Sequence, residues 1–168
     1  MTFVFRRLTD DDLPMLHAWL NDPGIVQWWE GDDVSWEGVV RDYGSANEEP
    51  IEHGIAVLDG HDVGWLDCYA MVDSPEEAVG WAKFGMEPDA AGIDYFVAEP
   101  AERGRGVGSE MIRTFVRDVV FATHPDWSQA CAAPHVRNAA SWRALEKVGF
   151  RRAGIVNGGR LMILDRPR

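Results

Sequence analysis

Positive charge is scarce in this chain. Its 168 residues carry 16 Lys and Arg against 28 Asp and Glu, a net charge of −12. Nucleic acid and anionic membranes both bind through a basic face, so neither is an expected partner. Cysteine is scarcer still. Cys68 and Cys131 are the only two. They stand in no metal-type spacing and read as reduced core thiols of a cytoplasmic protein without a metal site. No apolar run approaches the roughly 20 residues of a membrane span. The stretch from Met1 to Arg7 lacks the basic-then-apolar layout of a secretory leader. Linkers, repeats and low-complexity tracts are missing too. What is left is an ordinary globular balance, 46% hydrophobic and 26% charged, which reads as one domain over residues 1–168. The acidic balance suits a cationic substrate drawn in by its field; it also serves plain solubility. Nothing in it separates a monomer from a homodimer.

Apolar periodicity sets the expected elements. Residues 2–8 alternate apolar and basic side chains, as a strand does. Thr9 then suits an N-cap, with Asp10, Asp11 and Asp12 favourable in the first turn of a helix to Leu20. Asn21-Asp22-Pro23-Gly24 breaks it, and Ser35 can cap a second helix to Tyr43. Residues 51–58 and 63–72 read as a hairpin. Residues 73–91 read as an acidic loop. A strand over 92–98 leads to a long helix over 107–123, with Met111, Ile112, Phe115, Val116, Val119 and Val120 on its apolar side. A short strand over 128–132, a helix over 138–148 and a hairpin over 151–165 close the chain. Strands mix with helices, so the expected class is α/β (α+β) around a sheet of mixed strand direction.

Chemistry concentrates where the 92–98 strand meets the next helix. There Glu99-Pro100-Ala101-Glu102 leads into Arg103-Gly104-Arg105-Gly106-Val107-Gly108-Ser109. Glycines let backbone approach a ligand closely, and a helix start offers unpaired N–H groups and a positive dipole end. Together these make a pyrophosphate cradle, with Arg103 and Arg105 as added cations. A Walker loop would need Gly-Lys-Ser/Thr. A dinucleotide fingerprint would need glycine where Ser109 stands.

These residues resemble a known superfamily. Arg103 to Gly108 is similar to the Arg/Gln-x-x-Gly-x-Gly/Ala motif of the GNAT N-acetyltransferases. Asn138 to Phe150 is similar to their second motif, an Asn, a helix, then Gly-Phe. The resemblance implies a GNAT fold, a mixed sheet of about six to seven strands flanked by about four helices. It implies acetyl-CoA as co-substrate, with Phe96 and Val97 along the pantetheine arm and Asn138 near it. Residues 103–109 would hold the pyrophosphate. A narrower resemblance runs through Trp28-Trp29, Gly80-Trp81 and Gly92-Ile93-Asp94 to bacterial aminoglycoside 6′-N-acetyltransferases. It implies Asp94 at the substrate amine and Trp28 and Trp29 at the antibiotic site, with Glu87 keeping part of an acidic run. Three positions depart from the pattern. Leu145 stands where many members carry a tyrosine acid, Ala133 where the 6′-enzymes carry an aspartate, and Lys83-Phe84-Gly85 where they carry glutamates.

Several residues carry candidate roles on their own chemistry. Asp94 is a carboxylate in an otherwise apolar strand, placed to take a proton from an amine or to orient its ammonium. His135, in a loop past a strand end, is a candidate base or acid. Tyr95 is a candidate replacement acid, although strand alternation turns it away from Asp94. Trp28 and Trp29 flank a Pro-Gly break, where at least one should be exposed to stack on a cationic ligand. Cys131 lacks a base partner and reads as core. The expected function is acetyl transfer from acetyl-CoA to a primary amine, an aminoglycoside 6′-amine first, directly within a ternary complex. The alternatives are another small amine, such as a siderophore precursor, a lysine-like or N-terminal protein amine, and a non-catalytic CoA-binding module.

Overall fold

The computed structural model describes residues 1–168. Seven strands form one sheet: β1 (Phe3–Arg7), β2 (Ile51–Leu58), β3 (His61–Ala70), β4 (Ala91–Val97), β5 (Gln129–Ala132), β6 (Arg151–Val156) and β7 (Gly159–Asp165). Their spatial order is β1-β2-β3-β4-β5-β7-β6. All neighbours are antiparallel except β4 and β5. That parallel pair is joined by a crossover through α5 (Val107–Phe115), as parallel strands require. It is also the weak seam of the sheet. Only Ala91 with Ala130 and Gly92 with Cys131 are in register; beyond them the strands part, and a wedge opens between their C-terminal halves.

Helices cover both faces. One face carries α5 and α6 (Ala139–Val148), whose Val107, Met111, Ile112, Phe115 and Leu145 pack on Leu66, Cys68, Ile93 and Ala130. The other face carries two separate groups. Helices α1 (Leu13–Leu20), α2 (Pro23–Val26) and α3 (Trp36–Tyr43) bury Leu16, Leu20, Ile25 and Val39 on Ile55, Trp65 and Phe96. Further along, α4 (Pro75–Ala82) seats Trp81 with Met71, Cys131 and Leu161. The gap between these groups leaves the middle of the sheet uncovered on that face. No helix is long and apolar enough to cross a membrane.

Two element expectations change. The stretch 73–91 is not a loop throughout, because Pro75 opens α4 with Glu76 and Glu77 in its first turn, where proline and acids both favour a helix start. Its acids disguise a helix held by a single buried anchor, Trp81. The helix expected over 107–123 is α-helical to Phe115 and then widens into a π-helical turn over Val116–Phe121. Together with the short α2, this brings the helices to six.

Candidate active site

Three cross-strand neighbours form the floor of the uncovered gap. His53 on β2 is in register with Asp67 on β3, and Asp67 with Asp94 on β4. Strand alternation puts all three on one face, between the apolar neighbours Ile55, Trp65 and Phe96. The Asp94 N–H donates to Asp67 Oδ1 at 2.9 Å, and His53 Nδ1 lies 3.9 Å from Asp67 Oδ2. Asp67 is buried, and its carboxyl is pushed well above the usual range by desolvation and by the charge of Asp94. Burial drives His53 down to about 4, so its imidazole is neutral at pH 7. Asp94 opens into the gap but is enclosed by its walls. Loss of water and the charges of Glu77 and Asp32 raise it to about 6. A carboxylate at that value is ionised at neutral pH yet takes a proton readily.

The gap is a cavity of about 290 Å³. No Lys or Arg lines it, and its carboxyls are Glu30, Asp32, Asp67 and Asp94. Aromatic rings build one wall. Trp29 meets Trp65 and Phe96 edge-on, at 6.1 and 5.4 Å between centroids. Trp28 lies over His135 at 5.9 Å. His135 borders the cavity, and its Nδ1 accepts the Arg137 N–H at 3.1 Å. The exposure expected of one tryptophan is not found. Both are half-buried, because α2 folds the Pro-Gly break back onto the sheet.

A second cavity, about 360 Å³, continues from the first along the wedge. Phe96 and Val97 line one side, and Gly104, Gly106, Gly108 and Ser109 line the turn into α5. Its charged residues are Arg103, Arg143 and Lys147, with no carboxylate among its lining. Gly104 and Gly106 are left-handed, at φ +75° and +81°, and no heavy atom lies within 4 Å of where a Cβ would sit. Backbone there is bare toward the groove beside the N–H-rich start of α5. This geometry fits a pyrophosphate.

Some expected residues take other positions. Val107 is 2% exposed and belongs to the core beneath α5, so its side chain cannot reach a ligand. Arg105 turns outward to Glu102 at 3.7 Å and does not line the groove. Arg103 lines it but is also a brace, donating to the Val97 and Ala98 carbonyls at 3.0 and 2.8 Å and lying 3.4 Å from Asp22. Glu87 is exposed at the far end of β5, where its N–H donates to Gln129, and lines neither cavity. Asp32 and Asp67 line the acidic cavity in its place, and Glu77 acts on Asp94 through its charge. Asp67 was legible as a lone carboxylate between Trp65 and Tyr69 on one strand face. Arg143 and Lys147 were legible as basic residues one turn apart on α6, next to Ala140 and Ala144.

The two cavities share Trp28, Trp29, Tyr95, Asn138 and Ser141. The Asn138 side chain caps α6 by accepting the Ser141 N–H at 3.3 Å. Tyr95 does turn to the α5–α6 face, but the parting of β4 from β5 lets its hydroxyl border the same opening as Asp94. Leu145 is fully buried, and Ala133 lines the acidic cavity. The Cys131 thiol is buried and pushed up to about 12, so it is no nucleophile. One group of potential metal donors, Glu52, Cys68 and His124, lies outside both cavities, with Glu52 and His124 paired at 2.9 Å.

Residues 9–157 match the acetyltransferase (GNAT) domain model. Over 157 residues the chain is 31% identical to the aminoglycoside N(6′)-acetyltransferase type 1 of Klebsiella pneumoniae, covering 91% of this chain and 76% of that protein. The structure of AAC(6′)-Ib with paromomycin and acetyl-CoA is similar at a TM-score of 0.86 and 28% identity, covering 99% of this chain and 94% of that one. The structure of the same acetyltransferase with coenzyme A and kanamycin gives 0.84 and 28%, covering 98% and 95%.

Proposed function

This chain belongs to the GNAT acetyltransferase family, and on that premise we propose that it acetylates the 6′-amine of an aminoglycoside with acetyl-CoA. One observation carries the reading. An all-acidic cavity and a basic groove meet end to end at Tyr95, Asn138 and Ser141. A polycationic amine fits the first and a pyrophosphate the second. The relatives named above act on or bind this same pair of substrates.

When bound, acetyl-CoA supplies an activated acetyl thioester. The chain's residues do the rest by placement and charge. The start of α5, with Gly104, Gly106, Gly108 and Ser109, holds the pyrophosphate beside Arg143 and Lys147. Beyond Gly92 the β4 edge facing β5 has no strand partner, so the pantetheine arm can lie along it beside Phe96 and Val97, where Arg103 holds the Val97 carbonyl. Glu30, Asp32 and Asp94 attract the ammonium groups, and Trp28 and Trp29 give a stacking wall. Asp94 takes the proton that the amine must lose before it attacks. His135, with Nδ1 occupied, keeps only Nε2 for proton exchange at the cavity wall. Attack is direct, since the one thiol near the seam, Cys131, is buried and protonated. The unit is the whole of residues 1–168, working in the cytoplasm, and its product would be an antibiotic inactivated by loss of a cation.

The test is thiol release from acetyl-CoA across an amine panel. Aminoglycosides with a free 6′-amine should turn over, and those lacking it should not. Asp94→Asn should cut kcat/KM by about 10²–10⁴-fold while calorimetry finds CoA affinity nearly unchanged. Turnover confined to small monoamines would replace the aminoglycoside with that class.

A further inference from the structure

We infer that the Tyr95 hydroxyl is the acid that protonates the departing CoA sulfur, with Ser141 resupplying its proton. This rests on the acetyltransferase reading above and goes beyond it, because that reading names a base for the amine but no acid for the thiol.

Three observations carry it. Of the five residues common to both cavities, only Tyr95 and Ser141 carry a hydroxyl, and a phenol is by far the stronger acid. The two hydroxyls touch at 2.7 Å, an arrangement in which either can donate. With Ser141 donating to Tyr95 Oη, the phenol proton is left for a third atom at the junction. The last observation concerns helix geometry. Leu145 lies one turn beyond Ser141 on the same α6 face, fully buried in the cluster against which the Tyr95 ring packs. The α6 face one turn beyond Ser141 is therefore apolar and sealed. Here α6 supplies the apolar packing and β4 supplies the phenol. Burial and the charge of Asp94 push the Tyr95 hydroxyl above its ordinary range, so the acid is loaded at every working pH.

The step balances. The amine nitrogen forms its bond to the acetyl carbon, and the carbon–sulfur bonding pair withdraws onto sulfur. Tyr95 gives its Oη–H proton to that sulfur, yielding the free thiol. Two protons leave the ammonium nitrogen, through Asp94, to solvent. One proton returns from solvent through Ser141 to Tyr95. The net release is one proton per turnover.

Acid assistance to a leaving group is recognised by its dependence on that group's basicity. With acetyl-CoA, Tyr95→Phe should lower kcat by about 10²-fold or more, with the amine KM within about twofold. With the acetyl ester of an acidic aryl thiol, which departs without a proton, variant and wild type should converge. Binding gives a second readout free of turnover. Calorimetry should find that wild type distinguishes CoA from desulfo-CoA, increasingly so as pH rises toward thiol ionisation, and that Tyr95→Phe does not. Ser141→Ala, which keeps the phenol, should retain this distinction with a smaller loss of rate. An equal rate loss for every leaving group, or undiminished turnover of acetyl-CoA by Tyr95→Phe, would overturn the assignment. A wild type that releases no thiol with any amine would instead sink the acetyltransferase reading, and the desulfo-CoA comparison would still judge Tyr95.

Discussion

Asp94 has two sets of neighbours, and they pull its chemistry in different directions. Its floor partner Asp67 holds the backbone N–H of the same residue, which fixes the strand and leaves the Asp94 carboxylate facing the cavity. The more distant Glu77 and Asp32 act through charge alone, and with burial they lift Asp94 to about 6. The proposed reaction needs Asp94 ionised, so kcat/KM should rise as pH climbs through that value and level off above it. Glu77→Gln removes a negative charge that favours the protonated form. The rising limb should therefore move to lower pH, with little change on the plateau. A pH–rate profile on a single amine checks this, and a limb that stays put would detach the profile from Asp94. Sequence alone offered Asp94 as a site residue but offered Glu87 beside it. Glu77 does that work from the first turn of α4, near enough for its charge to act on Asp94.

The turn into α5 starts a helix where the sequence places one. Gly104 and Gly106 both adopt left-handed backbone with open space at the Cβ position. A side chain at 106 would meet strain rather than collision, at about 1–2 kcal/mol for the left-handed conformation, and would then project into the groove. Gly106→Val should thus fold with a modest loss of stability and fail to gain from ligand. In wild type, CoA at 100 times its Kd should add about 2.7 kcal/mol. Thermal melts with and without CoA separate the two effects, and a variant that keeps the full ligand gain would remove the turn from the binding site. The strong periodicity of α5 and the Gly-rich run before it are local signals, so they were readable. The parting of β4 from β5 was not, because register is set between strands distant in sequence. Neither was α4, whose single anchor Trp81 leaves no apolar stripe.

Across the molecule, charge is sorted rather than merely acidic. Acids line one cavity, the cations Arg103, Arg143 and Lys147 line the groove, and uncharged side chains stand at the junction. Fields from exposed charges are screened beyond about 8 Å at physiological ionic strength. Affinity for a polycationic amine and affinity for CoA should both fall as salt rises. Arg143→Ala with Lys147→Ala should weaken CoA and flatten its salt dependence while leaving that of the amine intact. Calorimetric titrations at several salt concentrations read both slopes, and a parallel change in the two would mean that the sorting has no functional consequence. The net charge of −12 concealed this arrangement, since a sum carries no positions. Composition, periodicity and the two glycine-bearing motifs determined the α/β class, the order of most elements and the glycine turn proposed to hold phosphate, all properties of neighbouring residues. Only the tertiary structure decided that Asp67 joins Asp94, that Glu87 does not, and that Tyr95 reaches the junction from the opposite face. Those relations depend on strand register and on where the sheet splits, which form only when segments dozens of residues apart pack together.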